Sequence, residues 1–240
     1  MIILDKFIYS RRAGVIFAYI PKVACTNWKC ILRYLDGHED YLNAQLAHDR
    51  MRSGLDYLST NPHGEILLRN PAIPKLTCVR NPFSRILSAY LNKVKPFAFD
   101  NATADRDPYF FMVFQKINSF RQLSYPRITQ VTFTCFLNWI EFSGDPLTLN
   151  EHWIPQTNIL GRGEVCFEYI GRLENIHEDA KMLLSRMGCD IPFPSQAAVS
   201  FPPTNADTLV KYHYTPYDYD AVRRIYADDF SILKYDPFLI

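Results

Sequence analysis

Residues 15–29, VIFAYIPKVACTNWK, run from an apolar stretch through a proline into an amphipathic segment, and no other pattern in the chain restricts the fold as much. Residues 15–20 read as a buried strand that Pro21 stops. Lys22, Val23, Ala24, Cys25, Thr26 and Asn27 then bring a cation, small side chains and hydroxyl or amide donors to a helix start. Trp28, Ile31, Leu32 and Leu35 recur on one face, which predicts a helix over 27–35 that Gly37 ends. Strand, loop and helix in this order make a seat for an anion: first-turn N–H groups point outward and the macrodipole favours negative charge. An ordinary strand-to-helix turn accounts for the same residues, since strand ends in α/β sheets receive many kinds of ligand.

The pattern returns once. Residues 75–79 read as a second buried strand running directly into RNPFSRILSAYLNKV. Asn81 is a fair N-cap and Pro82 suits the first helical position, after which Phe83, Ile86, Leu87, Tyr90, Leu91 and Val94 form an apolar stripe. Arg80 is thereby left at the strand end, with Arg85 one turn before Ser88 on the helix. An arginine at such a corner offers a planar fork suited to phosphate, and a helical serine adds a neutral hydrogen bond. A surface arginine and a serine filling a tight helix contact would look the same.

Other segments carry weaker signals. Between 38 and 74 Pro62, Gly64, Pro71 and Pro74 break the pattern into short pieces, and His48 and His63 lie there; most histidines in such segments are simply solvated. Residues 100–107 read as a polar, turn-rich loop, and 109–120 are dense in Phe and Tyr, which more often build core than line a sugar or lipid pocket. A helix is expected over 128–142. The segment NEHWIPQTNIL should be a loop bringing His152, Trp153 and Gln156 together, where an imidazole can serve as a base near neutral pH. A third strand is expected over 165–170, then a helix from about 176 that Gly188 terminates; the proline-rich stretch 190–203 is an extended connection or lid, and a helix closes the chain over 217–233.

With 240 residues and 48% apolar content, the chain can bury a sizeable core as one α/β domain spanning 1–240. A net charge of only +1 gives no general attraction to nucleic acid or anionic membrane, so any anion must be held locally. The N-terminal MIILDKFIYSRRAGVIF is no convincing signal peptide, and no apolar run reaches the roughly 18 to 20 residues of a membrane span. The six cysteines, Cys25, Cys30, Cys78, Cys135, Cys166 and Cys189, show neither CxxC nor metal-ligand spacing and read as reduced residues of a cytoplasmic protein.

The segments PKVACTNWK and VRNPFSRILSAYLNK resemble the two signature segments of the carbohydrate sulfotransferase family, which includes the HNK-1 and chondroitin 4-O-sulfotransferases and bacterial relatives. HWIPQ, YIGRLENIHEDA and YTPYDYDAVRRIYADDF are similar to that family in the same order. The resemblance implies an α/β, three-layer fold with a central, mainly parallel sheet and a P-loop-like nucleotide site. It implies transfer of a sulfuryl group from 3′-phosphoadenosine 5′-phosphosulfate to a hydroxyl, most readily that of a glycan or glycoconjugate, with adenosine 3′,5′-bisphosphate as product and no metal. By motif position, Lys22, Cys25, Thr26, Asn27 and Trp28 fall on the loop for the 5′-phosphosulfate, and Arg80 and Ser88 on the pair for the 3′-phosphate; Arg172 to Glu174, after the third strand, are expected to border the adenine by position alone.

Lys22 would stabilise the charge growing on the leaving phosphate. Two histidines compete for the base: His152 in the family-like loop, and His48 because other sulfotransferases place their base between the two cofactor motifs; a carboxylate such as Glu151 is a third option. The animal Golgi members carry an N-terminal anchor and often a cysteine-rich stretch after the HW segment. Neither is present here, so the expectation is a soluble, bacterial-like relative in the cytoplasm, with a Golgi lumen location only if an anchor has been removed. A P-loop-type nucleotide kinase is the rival enzyme, although GxxxxGK[ST] is missing. A catalytically silent nucleotide-binding relative is the rival outside enzymes.

Overall fold

Five short strands form one sheet among the described residues: β1 (Phe7–Ser10), β2 (Val15–Ala18), β3 (Asp56–Tyr57), β4 (Lys75–Val79) and β5 (Tyr169–Arg172), in the order β3-β1-β2-β4-β5. β2 pairs parallel to β4 and β4 to β5, while β1 is antiparallel to both its neighbours. Four of the five strands therefore share one direction and β1 alone opposes them. Every residue of β2 and β4 is buried, which explains why both read as continuous apolar runs instead of alternating ones. In the register Ala18 stands opposite Thr77, and Val79 opposite Arg172, so the carboxyl ends of the parallel strands lie along one edge. Thr77 Oγ1 donates to the Ala18 carbonyl at 2.8 Å, adding a side-chain tie between β2 and β4.

The helices are α1 (Cys25–Leu35), α2 (Ala44–His48), α3 (Gly64–Arg69), α4 (Pro82–Lys93), α5 (Pro108–Ser124), α6 (Phe133–Phe142), α7 (Gln156–Ile159), α8 (Ile176–Arg186), α9 (Ala206–His213), α10 (Pro216–Ile225) and α11 (Ala227–Ile232). The computed structural model describes residues 2–98, 107–200 and 202–238. All but the last residue of the loop expected over 100–107 lie outside the described residues. Among the described residues no helix is long and apolar enough to cross a membrane.

Contacts divide the chain into two units, each assembled from two stretches: Met1–Asn81 with Gln156–Pro203, and Pro82–Pro155 with Thr204–Ile240. The first unit holds the whole sheet. Trp28 of α1 is fully buried there, its ring 4.9 Å from Phe17 and 4.5 Å from Phe193. The proline-rich stretch runs along α1: Tyr34 donates to Asp190 at 2.7 Å, Asn27 donates to the Pro194 carbonyl at 2.8 Å, and Val199 joins Cys30 and Ala47 in a small cluster. The second unit is helical around Phe83, Leu87, Phe136, Trp139, Trp153 and Tyr226.

The strand expected over 75–79 and its following helix are present; the strand expected over 15–20 ends at Ala18, the helix after it starts at Cys25 instead of 27, and residues 156–159 of the segment expected as a loop form α7. Three further boundaries need correction. The third strand is Tyr169–Arg172, four residues later than expected, because Gly171 belongs inside it: a Cβ there would stand 2.8 Å from the Leu183 side chain of α8. The helix expected from 128 begins at Phe133, where Thr132 caps it by accepting from the Cys135 N–H at 3.2 Å. The closing helix is two, α10 and α11, separated at Tyr226. α10 opens on a capping box in which Thr215 and Asp218 bond reciprocally.

Candidate functional site

Between β2 and α1 the backbone enters the left-handed region twice at residues that are not glycine, Lys22 at φ 71° and Ala24 at φ 48°. Each such residue costs about 1 to 2 kcal/mol, so the surrounding structure must hold the loop in place. Turns of this kind gather successive N–H groups on a concave side that suits an anion. Ala24 is the N-cap of α1 and gives no side-chain cap, and the first turn contains no acidic residue. Because Trp28 N–H already bonds the Ala24 carbonyl, the N–H groups without an acceptor inside the helix are those of Cys25, Thr26 and Asn27. These are conditions for receiving negative charge at a helix start.

Arg80 supplies the hold. Only 5% exposed, it lies one residue beyond β4 and donates from Nη1 to the Lys22 carbonyl at 3.0 Å. Its own backbone is fixed in turn by fully buried Gln156, whose Oε1 accepts from Arg80 N–H at 2.9 Å and whose Nε2 donates to the Arg80 carbonyl at 2.7 Å. Next in the chain, Asn81 N–H donates to Glu174 Oε1 at 2.5 Å. The two corners read from the sequence are thus joined at one sheet edge, with Lys22 and Arg80 in direct contact through the backbone.

His48 reaches the same loop. Asn43 caps α2 by accepting from the Leu46 N–H, Ala47 packs on Cys30 of α1, and the following residue sets His48 Nε2 at 2.8 Å from Thr26 Oγ1. Burial pushes the Cys30 thiol up to about 11, which keeps it protonated and inert behind this contact. One turn along α1, the ammonium of buried Lys29 stands 4.1 Å over the Tyr19 ring and 5.7 Å from that of Tyr57. Burial raises the Tyr57 phenol to about 12, so it stays neutral beside these cations.

The other expected residues have the following surroundings. The Trp28 indole belongs to the core, and the Asn27 amide is 2% exposed and bonded to the proline-rich stretch, so both anchor α1. Cys25 is a free, partly exposed thiol at the helix start. Arg172 ends β5, its N–H donating to Asp179 Oδ2 at 2.7 Å. Ser88 and His152 both lie in the second unit. Ser88 is 2% exposed, with Oγ 2.8 Å from Thr204 Oγ1. His152 is half-buried, and Asn150 Oδ1 lies within hydrogen-bond distance of both its N–H, at 2.9 Å, and its Nδ1, at 2.8 Å.

The loop that carries His152 is fastened by a residue whose role the sequence did not reveal. Arg85, 1% exposed, donates from Nη1 to the Ile154 carbonyl at 2.8 Å and from Nη2 to the Glu151 carbonyl at 3.0 Å, bracketing His152 and Trp153. Gln156 and Glu174 were also missed as positioning residues. Only their places just after HWIP and just after the third strand hinted at them. Among the described residues no group of three or more His, Cys, Asp or Glu side chains could hold a metal ion.

Comparison with known proteins agrees with the motif resemblance. Carbohydrate sulfotransferase 14 of Danio rerio is 30% identical over 213 residues, covering 88% of this chain and 56% of its own length. The protein of that name from Homo sapiens is 29% identical over 238 residues, covering 97% of this chain and 61% of its own. Carbohydrate sulfotransferase 10 of Homo sapiens is 24% identical over 259 residues, covering 97% and 67%. The chain therefore spans less than two thirds of the length of the first two relatives. No solved structure matches it significantly. The sequence model described as the Sulfotransferase family matches residues 5–236, nearly the whole chain, and the chain belongs to that family.

Proposed function

We propose that this chain is a sulfotransferase that moves a sulfuryl group from 3′-phosphoadenosine 5′-phosphosulfate to a carbohydrate hydroxyl. Family membership and the names of its relatives support the reaction class and a carbohydrate acceptor. The observation that carries the reading for this chain is the bond from Arg80 to the Lys22 carbonyl, which ties the Arg80 guanidinium to the left-handed loop of Lys22 at one sheet edge. The anionic nucleotide fits the chemistry of that edge, with N–H donors and cations and no acid in the first turn of α1.

In the reaction the acceptor oxygen bonds to sulfur as the bond from sulfur to the bridging phosphate oxygen breaks, and the electron pair stays with the departing adenosine 3′,5′-bisphosphate. Lys22 and the loop N–H groups favour the charge that grows on that phosphate, and so act more strongly on the transition state than on the ground state. Of the two histidines, His48 is the base in this reading. Its contact with Thr26 puts it at the first turn of α1, where it takes the acceptor's proton as attack proceeds. Arg80 holds the loop and shares in binding the nucleotide, and Arg172 lies at the neighbouring strand end.

The test pairs binding with turnover. Adenosine 3′,5′-bisphosphate should raise the melting temperature of the protein while ATP with Mg²⁺ does not, and sulfate from radiolabelled donor should appear on an unsulfated chondroitin oligosaccharide. Preference for ATP with Mg²⁺ would make the chain a kinase-like protein. Binding of the bisphosphate without transfer to any glycan would make it a silent relative.

A further inference from the structure

The second unit carries a cluster of polar and aromatic groups that the proposed reaction leaves unused. Its centre is Phe110 at the start of α5. The His152 ring meets Phe110 edge-on at 5.1 Å, the Tyr109 ring does so at 5.0 Å, and the Lys93 ammonium stands 4.1 Å over it. Asp107, which caps α5, lies 3.7 Å from Lys93 and offsets its charge. Asn150 joins the two rims: its Nδ2 donates to the Tyr109 hydroxyl at 2.8 Å while its Oδ1 faces His152.

That arrangement orients the imidazole. Asn150 gives its Nδ2 to the Tyr109 hydroxyl and sets its Oδ1 2.8 Å from His152 Nδ1. Tyr109 is 43% exposed although its hydroxyl is anchored, which presents a fixed aromatic surface to solvent. The Arg85 clamp on the Glu151 and Ile154 carbonyls fixes the loop, as does the bond from the Tyr226 hydroxyl to the Trp153 carbonyl. A rigid aromatic surface, an imidazole, an amide and a balanced charge pair are what a hydroxylated, uncharged ring face needs. Its C–H face stacks on the aromatic ring and its hydroxyls exchange hydrogen bonds with the polar groups.

We propose that Tyr109, Asn150 and His152, with the Lys93–Asp107 pair, form a binding subsite for a pyranose ring of the acceptor glycan. The inference rests on the proposed carbohydrate sulfotransferase function. It makes Tyr109 the stacking platform and His152 a contact to acceptor hydroxyls, with His48 keeping the proton-transfer role.

Binding is read without turnover, by saturation-transfer NMR and titration of an unsulfated chondroitin tetrasaccharide with the intact protein. Affinity for adenosine 3′,5′-bisphosphate is measured alongside. Tyr109→Ala should weaken the tetrasaccharide about tenfold, the size of one lost aromatic contact, and leave the nucleotide affinity unchanged. Tyr109→Phe keeps the platform and should lose no more than about threefold, which separates stacking from misfolding. Equal tetrasaccharide binding by wild type and Tyr109→Ala, or no tetrasaccharide binding by a wild type that does bind the nucleotide, would overturn the subsite and leave the functional reading standing. Failure to bind either ligand would overturn that reading as well.

Discussion

Two loops of this chain are held rigid by opposite means. The loop before α1 is distorted in its own backbone, left-handed at Lys22 and Ala24, and is steadied from outside by Arg80 at the Lys22 carbonyl. The loop that carries His152 has no left-handed residue between 150 and 155; it is stitched by donors to its carbonyls, two from Arg85 and one from Tyr226. The first arrangement leaves N–H groups at a helix start and suits an anion. The second uses up carbonyls and leaves side chains presented, which suits recognition of hydroxyl groups. The contrast teaches that a chain tolerates backbone strain where it needs donors, and spends buried arginine and tyrosine where it needs a fixed side chain.

If this contrast is right, substitutions in the two loops should fail in different ways. The largest effect is expected for His48→Gln, which should lower kcat about 1000-fold with little change in nucleotide affinity, measured by steady-state sulfate transfer. A comparable loss in His152→Gln, with His48→Gln active, would reverse the assignment of the base. Lys22→Ala should lower kcat/KM about 100-fold while the melting temperature stays near that of the wild type. Arg85→Ala should act through stability: two buried carbonyls lose their donor, and urea unfolding should report a loss of roughly 3 kcal/mol. An Arg85→Ala protein of unchanged stability would break the comparison, because the second loop would not depend on its stitches. The smallest effect sharpens it: Ala24→Gly should stabilise the protein by about 1 kcal/mol, by relieving left-handed strain at a helix N-cap where glycine is well tolerated.

The sequence revealed most where burial was continuous. β2 and β4 are buried at every position, and each leads within a few residues into a strongly amphipathic helix, so strands, breaks and helices were all visible. β1 and β3 escaped notice because β1 lacks the unbroken burial of β2 and β3 is only two residues long, and both owe their existence to pairing across the sheet. β5 was misplaced because a glycine inside a strand reads as its end, whereas Gly171 leaves room for Leu183. Arg80 and Lys22 were legible as corner residues, and their bond confirms that the corners meet. The Thr26–His48 contact depends on α2 packing over Cys30, and the bond from Asn150 to Tyr109 joins residues 41 positions apart. No local pattern encodes either.

The account depends most on the joined corners. The direct measurement is calorimetric titration of adenosine 3′,5′-bisphosphate into the wild type, Lys22→Ala and Arg80→Ala proteins at one salt concentration. The account predicts measurable binding by the wild type and a loss of about tenfold or more in each variant, as expected when a charged partner of a bound phosphate is removed. Unchanged affinity in both variants would contradict it.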